Sequence, residues 1–393
     1  MGLKASLFFI GLIAIGVGFL SFSQNSIVID QIGGLVSSEE VAPAPVNADI
    51  PPQPQLSNPP AVIKALYATS WAASSESKLS SLIKIIKETE LNAIVVDVKD
   101  FSGYVAYNTD LPLPREYDAV ELRIPTLNRL IRRLHDEGIY VIGRVSVFQD
   151  GRLAFARPDL ALYSSTTKKT WKDNKGLMWM DSSSREVWDY NIAIAKEILA
   201  RGFDEANFDY IRFASDGNLN DIKFPFWDET TLKTAVMRDF FEYLRREIPD
   251  GKISADIFGL ATLSTDGLGI GQHLEYALPN FDAVAPMVYP SHYAAGFIGF
   301  QNPAAYPYEV IKYSMDGAIA RAKALAKIAS TTPMGKLRPW IQDFDLGADY
   351  DAVKVRAQIR AWEDAASGTP EFFGGWMLWS PSNVYTKEAL RAE

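Results

Sequence analysis

Short apolar runs recur along the chain between residues 62 and 379, separated by longer stretches whose apolar positions repeat every three or four residues. The short runs, residues 62–69, 93–98, 139–147, 205–213, 252–258, 283–289, 337–342 and 373–379, are rich in β-branched and aromatic side chains and read as strands. The longer stretches carry helix signals. Ser74 and Ser75 precede LSSLIKIIKETE, Pro125 opens PTLNRLIRRLHDEG, and Gly202 closes REVWDYNIAIAKEILARG. Further helices are predicted over residues 229–247, 307–329 and 350–366, with a short one near Leu274. Eight strands alternating with helices predict an α/β fold, a (β/α)8 TIM barrel over residues 61–393. That span exceeds the ~250 residues usual for the fold, so insertions are expected, the largest at residues 148–184.

Alternation within each run shows which side chains share a face. On the first strand Lys64, Leu66, Ala68 and Ser70 fall together. Asp97 and Lys99 pair on the second, Arg144 and Ser146 on the third, Asn207 and Asp209 on the fourth, and Ser254 and Asp256 on the fifth. Met287 and Tyr289 follow on the sixth, Trp340 and Gln342 on the seventh, and Met377 and Trp379 on the eighth. The polar members come late in their strands, at the barrel end that carries active sites in this fold. A ring of Asp97, Lys99, Arg144, Asp209, Asp256, Tyr289, Gln342 and Trp379 is therefore expected around one mouth.

Two carboxylates in such a mouth suit acid and base work on a glycosidic bond. Asp209 and Asp256, on neighbouring strands about 4.8 Å apart, approach the ~5–5.5 Å separation of retaining glycosidases. Asp97, two strands from Asp209, stands nearer the wider inverting separation, and the sequence leaves both pairings open. Lys99 and Arg144 are expected to keep one carboxylate ionised while its partner stays protonated. The same groups also fit an ion-pair lattice that merely closes the barrel. Trp71 and Trp379 are sugar-stacking rings or packed core; Tyr289 and His292 are donors to a sugar hydroxyl or structural groups. The stretch KKTWKDNKGLMWMD, residues 168–181, reads as a lid, a substrate wall or a solvated basic loop.

Composition narrows the partner. Apolar residues make up 48% of the 393, enough for a full core. A net charge of −9 works against general affinity for nucleic acid or anionic lipid, and makes a neutral or cationic polymer the more natural partner. There is no cysteine, and His135, His273 and His292 lack metal-ligand spacing. The glycines of DGLGIG lack a full dinucleotide fingerprint, so neither metal nor cofactor is expected. Lys4 precedes an apolar run over residues 5–20, followed by Ser21 and Ser23, the pattern of a cleaved export signal or a single membrane anchor. The proline-rich stretch up to Pro60 reads as a disordered linker. The expected order is a signal or anchor over residues 1–23, a linker over 24–60 and an extracytoplasmic barrel over 61–393.

The segments WMDSSSREVWDYNIAIAKEILARGFDEANFDYIRF, APMVYPSHY, RPWIQDFDL and FGGWMLWSPSN resemble a bacterial family of glycoside hydrolase domains with a TIM-barrel fold, over nearly everything from Ala61 onward. More distantly, FDEANFDYIRF, PMVYP and GGWMLWS look like the fourth, sixth and eighth strands of chitinase-like barrels. The resemblance implies a glycosidase and makes Asp209 the match to the family's fourth-strand carboxylate. Where the chitinase motif places its glutamic acid, this chain has Ile211, so a substrate-assisted mechanism does not carry over. Ala214 stands where the close family usually has proline.

The expected function is hydrolysis of glycosidic bonds in a polysaccharide of the cell envelope or matrix. Asp209 is the expected nucleophile or base, Asp256 the first choice of acid and Asp97 the second. Trp71, Lys99, Arg144, Arg212, Tyr289, His292, Gln342 and Trp379 form the expected substrate site. The alternative is a carbohydrate-binding barrel without catalysis, serving as an envelope scaffold. A Schiff-base lyase built on Lys99 is disfavoured, because neighbouring carboxylates would hold its amine charged.

Overall fold

The computed structural model describes residues 49–329 and 333–392. The expected signal or anchor, and the linker as far as residue 48, lie outside the described residues. Eight strands form the barrel: β1 (Ile63–Ala68), β2 (Ala93–Lys99), β3 (Tyr140–Ser146), β4 (Glu205–Asp209), β5 (Ile253–Phe258), β6 (Ala283–Met287), β7 (Trp340–Gln342) and β8 (Gly375–Trp379). Each pairs in parallel with the next, and β8 pairs with β1, so closure leaves no free edge. Helices α1 (Glu76–Lys87), α2 (Leu127–Asp136), α3 (Arg185–Arg201), α4 (Lys233–Glu247), α5 (Leu274–Ala277), α6 (Pro307–Ile328) and α7 (Ala352–Ala365) follow the first seven strands in order. This is a TIM barrel.

Inside it, Ile63, Ala65, Tyr67, Val95, Ile142, Ala285, Trp340 and Met377 pack as one cluster. Alternate positions such as Leu66, Val96, Val141 and Phe208 join a second, larger cluster beneath the helices. That division is why the strands read as continuously apolar.

Three elements differ from the sequence-based expectation, each for a local reason. β4 stops at Asp209 instead of reaching Phe213, because Tyr210 takes a left-handed backbone, φ 53°, which ends strand pairing. Pro339 has no N–H to give, and the seventh run divides into Lys336–Leu337 and β7. α4 begins at Lys233 because Asp228 accepts the N–H groups of Thr230 and Thr231, at 2.8 and 2.7 Å, and holds a turn there. The insertion at residues 148–184 carries helix Gly151–Ala156 and a strand, Tyr163–Ser164, that pairs with Ile222–Lys223. A second insertion, between β2 and α2, adds Val105–Tyr107 and Val120–Ile124 beside β2.

Residues 49–60 are a strap on the barrel wall, where a free linker was expected. The Asp49 carboxylate accepts the backbone N–H groups of Asn128, at 2.8 Å, and Arg129, at 3.1 Å. It thereby caps α2, whose own preceding residue, Thr126, makes no side-chain cap bond. Further along, the Gln53 N–H donates to the Arg201 carbonyl at 3.0 Å, and the Leu56 N–H donates to Asp204 Oδ1 at 2.6 Å. Gly202 serves both structures: its φ of 111° closes α3, and a Cβ there would lie 2.4 Å from the Gln53 carbonyl oxygen. Among the described residues no helix is long and apolar enough to cross a membrane.

Asp49→Ala removes the cap and is expected to lower stability by about 1 kcal/mol. The urea midpoint of the full chain measures it, and an unchanged midpoint would contradict a structural role for the strap.

Candidate active site at the barrel mouth

Arg144 follows Tyr140 and Ile142 along the inward row of β3. Strand register sets it against Asp97 of β2, and sets Ser146 against Asp209 of β4. The guanidinium is thus enclosed by acidic strands. Its Nη1 donates to Asp97 Oδ1 at 2.6 Å, its Nη2 donates to Asp209 Oδ2, and its Nε stands 3.8 Å from Asp256 Oδ2. All four side chains are buried. The Tyr67 and Trp379 rings stack on each other with centroids 4.0 Å apart, and lie 5.8 and 5.1 Å from the guanidinium carbon. Both distances fit a cation held against aromatic faces.

Fixed donors occupy the other carboxylate oxygens. Tyr67 donates its hydroxyl to Asp97 Oδ2 at 2.5 Å. Asp256 Oδ1 accepts from Asn207 Nδ2 and from Trp340 Nε1, each at 2.9 Å. The Tyr210 N–H donates to Asp209 Oδ1 at 2.6 Å, so the left-handed turn that ends β4 also sets its carboxylate.

One guanidinium does not neutralise three acids. Burial, and next the charge of Asp209, push Asp256 up to about 8 against the lowering pull of Arg144. Burial raises Asp97 as well, opposed by Arg144 and by the Tyr67 hydroxyl. Burial works against the charge of Arg144, but Asp97 and Asp209 outweigh it and lift its pKa well above the ordinary value. At neutral pH Asp256 therefore holds a proton.

Over this cluster opens a cavity of about 580 Å³ lined by Arg144, Asp209, Asp256, Tyr289, His292 and Trp379, with Phe258 and Phe344 on its walls. Burial and the charges of Asp256 and Asp209 raise the Tyr289 phenol, while burial and then Lys175 lower the His292 imidazole. Both groups are neutral near pH 7. A larger cavity, about 750 Å³, lies at the opposite end among the strand starts. Its buried carboxylates are taken up, Glu205 by Arg338, Tyr140 and Ser254, and Asp204 by His135 and the N–H groups of Leu56 and Val141, so the mouth is the end with acid chemistry to offer.

The expected site is changed at five residues, three of them in the ring. Asp97 does not line the cavity; it lies below, between Tyr67 and Arg144. Lys99 is outside the ring, because the β2–β3 register shifts between Asp97 and Lys99 and turns the amine to Asp150, at 2.7 Å, and the Ser146 carbonyl. Gln342 accepts the Ser291 N–H and donates to the Phe344 carbonyl, joining the loops after β6 and β7. Arg212 folds onto its own loop, donating to the Phe213 carbonyl and Ser215 Oγ with its guanidinium over Trp179 and Phe258. Trp71 is 59% exposed and outside the cavity lining, packed on Arg123. Tyr67 is a site residue that the alternation along β1 does not mark, because it lies on the apolar row with Ile63 and Ala65. Trp340, two residues before Gln342 on β7, is a second such residue, its indole N–H level with the acids.

Residues 65–385 match a family described as "putative glycosyl hydrolase domain". The chain belongs to this glycosyl hydrolase family. Solved structures share the fold. The PgaB (BpsB) glycoside hydrolase domain from Bordetella bronchiseptica is 15% identical over 84% of this chain and 99% of its own, with a TM-score of 0.57. The α-galactosidase TtGalA from Thermus thermophilus is 14% identical over 86% of this chain and 61% of its own, with a TM-score of 0.50. A hypothetical protein from Ruminiclostridium thermocellum is 36% identical but covers 49% of this chain and 96% of its own, with a TM-score of 0.45. Comparison with curated proteins found no match. For a glycosyl hydrolase family member, a cavity floored by two unequal carboxylates at the C-terminal ends of the strands is the site to examine.

Folding lifts Asp256 from 3.8 to about 8, so between those values the folded chain keeps a proton that the unfolded chain has released. Its contribution to stability accordingly falls as pH rises through that interval and stays low above it. Asp256→Asn keeps the acceptor for Asn207 and Trp340 and is expected to raise Tm at pH 9 relative to wild type, with a smaller effect at pH 5. A Tm difference independent of pH would contradict the raised pKa.

Proposed function

We propose that this chain hydrolyses glycosidic bonds of a polysaccharide outside the cytoplasm, with Asp256 as general acid and Asp209 as nucleophile. The observation that carries the reading is the inequality of the two cavity carboxylates. Asp256 holds a proton at neutral pH and can give it to a leaving sugar oxygen. Asp209 is bonded to the guanidinium of Arg144 and lines the same cavity, as an attacking carboxylate must. Arg144 keeps it in place, and Asp97 with Tyr67 keeps Arg144 in place. Asp97 is therefore a positioning residue in this scheme. The pair stands on neighbouring strands about 4.8 Å apart, which favours double displacement with retention at the anomeric carbon. The stacked Trp379 offers its indole as a floor for a sugar ring, and Tyr289 offers a phenol proton to a hydroxyl.

An extracytoplasmic site, secreted or tethered, and an envelope or matrix substrate are part of the proposal, supported by the apolar run after Lys4. Fractionation of the source cells tests it; recovery of the full chain only from the cytoplasm would sink it.

Product release from a panel of polysaccharides is the test of catalysis. Asp209→Asn is expected to fall below roughly 10⁻³ of wild-type turnover with Tm within a few degrees, since Arg144 keeps two other carboxylates. Full activity in Asp209→Asn would overturn the assignment, and binding without turnover in the wild type would point to the carbohydrate-binding scaffold instead. For an active substrate, kcat/KM is expected to decline as pH rises through about 8, because Asp256 must be protonated. Fresh product analysed by NMR is expected to keep the anomeric configuration of the substrate.

A further inference from the structure

The tip of the insertion at residues 148–184 hangs over the mouth and contributes Lys175 to the cavity lining. This tip is firmly built. Asp173, itself buried, accepts the N–H groups of Lys175 and Leu177 on Oδ1, both at 2.9 Å. Its Oδ2 accepts from Gln149 Nε2 at 3.2 Å and from Trp179 Nε1 at 3.1 Å. The backbone closes the turn with the Asp173 N–H on the Leu177 carbonyl and the Gly176 N–H on the Asp173 carbonyl, each at 3.0 Å, Gly176 taking φ 80°. Asn174 fastens the outer side by donating to Asp216 at 2.6 Å. A buried carboxylate with four donors is thus devoted to a turn whose exposed lysine faces the cavity.

The acids below take their hydrogen bonds from groups other than Lys175, Asp97 and Asp209 from Arg144, and Asp256 from Asn207 and Trp340. Arg144 serves Asp97 and Asp209, and Asp256 is protonated at neutral pH. Among the described residues Lys175 makes no ion pair, and its neighbour across the cavity, His292, is neutral. A desolvating ligand carrying a negative group would complete this cation, while a neutral one would leave it unpaired.

We propose that Lys175 selects a sugar bearing an anionic substituent, a carboxylate or a sulfate ester, seated between Lys175 and His292 at the rim of the cavity. This rests on the reading of the mouth as a carbohydrate site and narrows the substrate class within it. It also runs against the acidic net charge of the whole chain, which makes the effect local and sensitive to salt.

Affinity electrophoresis of the full chain tests it, in gels containing polygalacturonate, dextran sulfate or neutral dextran. Wild type is expected to be retarded by one of the two anionic polymers and little by dextran, the responding polymer telling carboxylate from sulfate. Lys175→Gln is expected to weaken that retardation about tenfold, the size of one charge-assisted contact. Lys175→Arg should restore most of it, and Lys169→Gln, which changes an exposed lysine outside the cavity lining, should leave it intact. Retardation by neither anionic polymer, or equal retardation of wild type and Lys175→Gln, would overturn the inference. Turnover of a neutral glycan alongside that result would spare the glycosidase reading, whereas Lys175-dependent binding without turnover of any glycan would spare this inference and count against catalysis.

Discussion

A single guanidinium, that of Arg144, is shared among three carboxylates inside a closed barrel. Removing it would strand buried negative charge, and the cost of breaking such a set is about 3–5 kcal/mol. The sharing also has a chemical consequence. Arg144 donates directly to Asp97 and Asp209 but only approaches Asp256, which is the most buried of the three, so the third acid retains its proton. A protonated carboxyl, Asp256, beside Asp209 on one cavity floor arises from this mismatch in number, with no separate device needed.

The scaffold around the cluster serves to hold that geometry. Tyr67 and Asn207, on β1 and β4, use side-chain donors to fix Asp97 and Asp256, and Trp340 on β7 adds a third. These positions lie on different strands, so the register of the whole barrel sets the site. The base of the barrel repeats the theme in a closed form, with Arg338 matched to Glu205. There one arginine meets one glutamate, which also accepts from Tyr140 and Ser254. The strap at residues 49–60 crosses this lower end, where Leu56 packs against the interior cluster and its N–H holds Asp204.

Much of the barrel was legible in the sequence because buried parallel strands leave continuous apolar runs and glycines such as Gly202 mark helix ends. The placement of Arg144, Asp209, Asp256, Tyr289 and Trp379 at one mouth followed from period two and from their late positions in those runs. Period two failed where a strand is irregular. The register shift after Asp97 sends Lys99 out of the ring, and no residue type in VVDVKD marks that shift. The left-handed Tyr210 ends β4 early and carries Arg212 away, although an aromatic residue is an unusual occupant of that backbone region. Asp49 was read as linker because its helix lies 79 residues away along the chain, beyond any local pattern. Side-chain donors such as Tyr67 and Trp340 stayed invisible for a related reason: an aromatic in an apolar run looks the same whether or not its polar atom is used.

The central claim is that, of the three aspartates gathered around Arg144, Asp256 keeps a proton in the folded chain at neutral pH. Carbon-13 NMR of the full chain labelled at aspartate carboxyl carbons observes this directly through a pH titration. One resonance is expected to titrate near pH 8 and to vanish in Asp256→Asn. Wild-type spectra in which every aspartate carboxyl titrates below about pH 5, close to its ordinary value, would contradict it.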